Sequence, residues 1–156
     1  ALPISLRQFF RILLAITLGI VSCGLVLLTL MVTRNCWLLL GQLYVSNYAV
    51  FNLMDKGLVL LGGIVGLGLL VYSLEMYTSA ETPIALSHQF LRLTAPVIWV
   101  LGTCHAIIAL ATFRLDPSNA SAFLLPTAEL LLGTALYCLD RKYVNTAALI
   151  EARGLN

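Results

Sequence analysis

Charge is what this sequence has least of. Nine Lys+Arg and seven Asp+Glu make up 10% of 156 residues, while 60% are apolar. An ordinary soluble domain is about 25% charged, so too few ionic groups are present to cover a water-facing surface. The net charge of +2 leaves no basic stripe of the kind nucleic acid requires, and nucleic acid is excluded as a partner. Cysteine is sparse and badly spaced for chemistry: Cys23, Cys36, Cys104 and Cys138 form neither a C-x-x-C pair nor a covalent haem motif. No disulfide framework and no metal site is expected; small apolar cysteines in helix packing account for all four. There is no G-x-S-x-G, no H-E-x-x-H and no phosphate loop, and the loops are short. The chain is therefore not expected to be an enzyme.

What the sequence does have is long apolar runs, with a mean hydropathy of +0.97. A hydrocarbon core about 30 Å thick takes roughly 20 helical residues to cross. Ile12 to Thr33, Gly57 to Leu74 and Leu93 to Phe113 are free of acidic and basic side chains, and Asp116 to Asp140 bracket a fourth run broken only by Glu129. This predicts an all-α, polytopic transmembrane four-helix bundle. It forms a single domain over 1–156, with spans about 10–33, 50–75, 91–113 and 120–140 and a short polar C-terminal tail, 142–156. Asn35 to Met54 is uncharged but rich in amides and aromatics. That composition suits the membrane interface and predicts a partly helical connection entering the second span near Ala49. The first run is longer than a signal-peptide core, lacks a small-residue cleavage site, and reads as a retained anchor. Pro96 is expected in the first turn of the third span, and Pro126 inside the fourth, where it should kink the helix.

Four spans place both termini on one side. Arg7, Arg11, Arg92, Arg141, Lys142 and Arg153 fall with the termini, and Arg34, Lys56 and Arg114 fall opposite. The excess of cations favours termini on the cytoplasmic side, in a bacterial plasma membrane or a bacterial-derived internal membrane of an organelle or thylakoid.

A few residues stand out against this apolar background. Glu129 lies near the middle of the fourth run, where a charge costs at least roughly 2.5–3.5 kcal/mol. His105 lies at similar depth in the third. Antiparallel neighbours would let them meet, as a structural clasp or as a proton or ion site. His105 alone also invites ligation of chlorophyll or haem; otherwise no cofactor is expected. His88, seventeen residues earlier, is about 25 Å away along a continuous helix, so the two cannot share one metal within a subunit. Gly62 and Gly66 form a G-x-x-x-G strip that permits close helix approach, either within the bundle or as an oligomer seam. Arg7 and Arg11, four apart beside Phe9 and Phe10, suit a headgroup or partner contact. Asp55 is expected to open the second helix against its dipole, with Lys56 snorkelling to headgroups.

Leu53-Met54-Asp55 leading into the glycine-rich span, with Leu139-Asp140-Arg141 closing the last, resembles the YqhA-like family of small bacterial inner-membrane proteins. The resemblance implies a small integral membrane protein with three or four spans and no enzymatic motif, and it assigns no site residues. The reading that follows is an assembly or accessory subunit of a membrane complex, or a homo-oligomer, whose partners are the lipid bilayer and other membrane subunits or copies of itself. The alternatives are a small channel or proton/ion transporter through Glu129 and His105, and a pigment- or haem-binding subunit through His105.

Overall fold

The computed structural model describes residues 4–80, 82–115 and 117–154. Four long helices account for almost all of them: α1 (Ile4–Tyr44), α2 (Tyr48–Ser79), α3 (Pro83–Leu115) and α4 (Leu124–Gly154), with one 3₁₀ turn, Ala120–Phe123, before α4. All four are long and apolar enough to cross a membrane. At 1.5 Å per residue α1 is about 61 Å long, twice the hydrocarbon thickness.

The helix ends follow local chemistry. Gln42 and the flanking aromatics do not interrupt α1, which absorbs the first half of the expected interfacial connection. The break falls at 45–47, where the Asn47 side chain accepts from the amides of Ala49 and Val50 at 3.0 and 3.4 Å and caps α2. Thr82 Oγ1 accepts from Ala85 N at 3.2 Å, with Pro83 at the first helical position. A proline there lacks only an amide that the helix leaves unbonded anyway.

The two membrane prolines exchange their expected roles. Because α3 starts at Pro83, Pro96 lies in its interior and leaves the Arg92 carbonyl without its intrahelical donor. Because α4 starts at Leu124, Pro126 lies in a first turn, where a missing N–H costs little, and no kink is required of it. Asp55 likewise lies well inside α2, not at its start. The C-terminal stretch is helical as far as Gly154.

Packing follows hairpin order. On the α1–α2 seam, Gly19 faces Leu74, Ser22 bonds Tyr77, Leu30 lies over Gly62 and Gly66, Arg34 pairs with Asp55, and Gly41 receives the Phe51 ring. These contacts keep one antiparallel register along the whole hairpin. The α3–α4 seam does the same: His88 meets Asp140, Trp99 covers Gly133, Gly102 faces Leu130, and Phe113 packs edge-on against Phe123. Helix α1 joins the two hairpins by packing along α3. Among the described residues α4 closely approaches only α3 and the 3₁₀ turn. The bundle is thus open on the α4 side. At the end where α2 turns into α3, Tyr77, Ala80 and Leu86 form a buried cluster with Leu14, Leu18 and Phe90 around it.

Candidate functional site

The α3–α4 seam gathers both histidines. His105 Nδ1 lies 2.7 Å from Glu129 Oε2, with the two side chains 22% and 16% exposed. One proton bridges them, either as an imidazole N–H donating to a carboxylate or as a carboxyl O–H donating to the ring nitrogen. Both forms give two costly groups a partner within the apolar layer. Gly102 makes the approach possible: a Cβ there would lie 3.2 Å from the Glu129 Cβ and 3.1 Å from Leu130 Cγ.

Toward the other end of the same seam, His88 Nε2 lies 3.1 Å from Asp140 Oδ1. The approach is close but off the hydrogen-bond axis, and both buried atoms lack a hydrogen-bond partner. Tyr143 packs on His88 with ring centroids 5.8 Å apart. Between the two pairs, the Trp99 and Tyr137 rings pack tilted at 36° with centroids 5.6 Å apart, and the Arg141 guanidinium lies 5.9 Å from the centre of the Tyr137 ring.

The glycine strip is occupied from within the chain. A Cβ on Gly66 would lie 2.7 Å from Leu30 Cδ1, and one on Gly62 3.3 Å from Leu30 Cδ2. The strip therefore serves the α1–α2 hairpin. Gly57, Gly63 and Gly68 face open space on the same helix. Arg11 lines a shallow groove with Ile12, Leu74 and Tyr77; the side chain of Arg7 lies outside the described residues.

Three polar contacts were not anticipated from sequence. Arg34 grips Asp55 bidentately, Nε to Oδ1 at 3.1 Å and Nη2 to Oδ2 at 2.9 Å. Ser22 and Tyr77 share a buried hydroxyl bond of 2.7 Å. His88 meets Asp140. The signal for the first was present: Arg34 and Asp55 each lie about two to three turns from the α1–α2 connection, so an antiparallel hairpin brings them level.

Four helices long and apolar enough to cross a membrane, with the intramembrane Glu129 and His105 paired on a helix seam, define a polytopic integral membrane protein. No protein-family model, curated protein or solved structure matches this chain.

Proposed function

We propose that this chain is a non-enzymatic assembly subunit, packing in the bilayer against other membrane subunits or further copies of itself. The observation that carries this reading is the one-sided use of α4. Its inner face is committed to α3, and its outer face presents Leu124, Leu125, Leu131, Leu132 and Leu139, all more than half exposed, with no second helix among the described residues against it. The described grooves between α1, α2 and α3 are apolar and open to the side, as suits helices that meet lipid or other helices.

Native mass spectrometry of the detergent-extracted protein, combined with its absorption spectrum, tests the proposal. The expected result is a particle heavier than a single chain and without visible absorbance. A monomer under conditions that preserve other membrane complexes would overturn it.

The 2.7 Å His105–Glu129 contact favours a second reading, a proton or ion site. In that case Glu129→Gln abolishes flux into reconstituted vesicles while the fold persists. A third reading uses the same contact differently: a carboxylate on Nδ1 is the usual orienting partner of an axial histidine, which would leave Nε2 for a haem or chlorophyll, and visible absorbance intrinsic to the isolated chain would support it.

A further inference from the structure

Next to the His88–Asp140 pair the α3–α4 seam opens into a cavity of about 250 Å³, lined by Arg92, Ala95, Pro96, Trp99, Tyr137 and Asp140. Its chemistry differs from that of the other grooves. Asp140 lines it with a side chain 16% exposed; its Oδ1 is buried against His88 Nε2 at 3.1 Å, off the hydrogen-bond axis, so the rest of the carboxylate is what faces the cavity. The Arg92 carbonyl has lost its helical donor to Pro96, which adds a second acceptor. Arg92 itself is exposed and has no ion-pair partner among the described residues. Arg92 and Pro96 also line a second, apolar groove of about 470 Å³ between α1, α2 and α3, walled by Leu30, Leu69, Val97 and Val100. A small, largely apolar pocket that carries one cationic and one acidic side chain, Arg92 and Asp140, thus shares a rim with a long apolar trough, beside the aromatic pair Trp99 and Tyr137, residue types that concentrate at the level of lipid headgroups.

We propose that this pocket binds the headgroup of an aminophospholipid. The primary ammonium donates to Asp140 and to the Arg92 carbonyl, the phosphate accepts from the Arg92 guanidinium, and one acyl chain follows the trough past Val97 and Val100. The pocket selects for hydrogen-bond donors: a quaternary choline ammonium carries no N–H and leaves Asp140 unsatisfied. An anionic glycerol headgroup offers Asp140 no counter-charge. The trough selects lipid over a free phosphoamine because an acyl chain anchors the headgroup in the membrane beside the pocket and packs against the trough wall by van der Waals contact, whereas the soluble molecule must leave water for the site unaided. The proposal is independent of the subunit's oligomeric state.

The test is native mass spectrometry of the purified full chain with phosphatidylethanolamine, phosphatidylcholine and phosphatidylglycerol of matched acyl chains, with soluble phosphoethanolamine as competitor. Phosphatidylethanolamine is expected to be retained over the other two by roughly tenfold or more, the scale of one charge-assisted hydrogen bond. Asp140→Asn and Arg92→Gln are each expected to remove most of that preference, and excess phosphoethanolamine to leave the lipid in place. Arg92 is exposed, so Arg92→Gln keeps the fold and carries the test should Asp140→Asn destabilise the seam. Equal retention of the three lipids, a preference that survives both substitutions, or displacement by the soluble headgroup would each overturn the proposal.

Discussion

Glu129 shows how a single residue constrains its neighbours in lipid. Nothing in the hydrocarbon layer can hydrogen-bond it, so its partner must come from protein, and the nearest one is His105 on the adjacent helix. As a clasp, Glu129→Gln keeps hydrogen-bonding capacity and should lower thermal stability only slightly. Glu129→Leu strands His105 and should cost about 1–3 kcal/mol, read from detergent melting curves. Equal melting of the two variants would argue against a clasp. The pairing was legible as a possibility because both residues are isolated polar groups at one depth. The His88–Asp140 contact was not, because each lies beyond the edge of an apolar run, next to charged residues such as Arg92, Arg141 and Lys142, where solvation by headgroups is an equally good outcome.

At the scale of elements, the α1–α2 hairpin is held by small residues receiving large ones. Gly66→Ile drives a branched side chain into Leu30 and should destabilise by about 1–3 kcal/mol, the range for overpacking. Gly63→Ile is the control: a Cβ there meets nothing within 4 Å, so its melting temperature should hold or rise. If both substitutions behave alike, the hairpin register is wrong. The G-x-x-x-G spacing announced a close approach but carried no information on which helix would fill it, because any apolar side chain serves. Prolines were misplaced for a related reason. Apolar runs locate the membrane, not the helix start: α3 begins at the Thr82 cap, well before its run, which puts Pro96 inside, whereas α4 begins within its run, after the 3₁₀ turn Ala120–Phe123, which puts Pro126 in a first turn.

For the whole molecule, four spans place the α1–α2 connection and the termini on opposite faces, and the cation bias predicts that the termini lie on the cytoplasmic one. Cys36 is only 5% exposed and makes a poor reporter, so the label belongs at exposed Ser46 in the connection. In a chain whose four cysteines are replaced by alanine, Ser46→Cys should react with an impermeant maleimide from outside. Asn156→Cys should react only after permeabilisation. The reverse pattern would invert the orientation, and labelling of both from one face would change the number of crossings.

The sequence by itself determined the solvent, the helical class and the number of spans. Lipid leaves a chain this apolar little alternative to helices that satisfy their own backbone, and roughly 20 residues per crossing sets the count. Only the tertiary structure decided which face of each helix is used. It placed Leu30 over the glycine strip, paired Arg34 with Asp55, left α4 with α3 as its one helical neighbour among the four long described helices and brought Arg92, Trp99 and Asp140 around one cavity. Those outcomes depend on register and rotation about each helix axis. In lipid all apolar faces are nearly equivalent by transfer energy, so the choice among them rests on packing shape and on a few polar pairs.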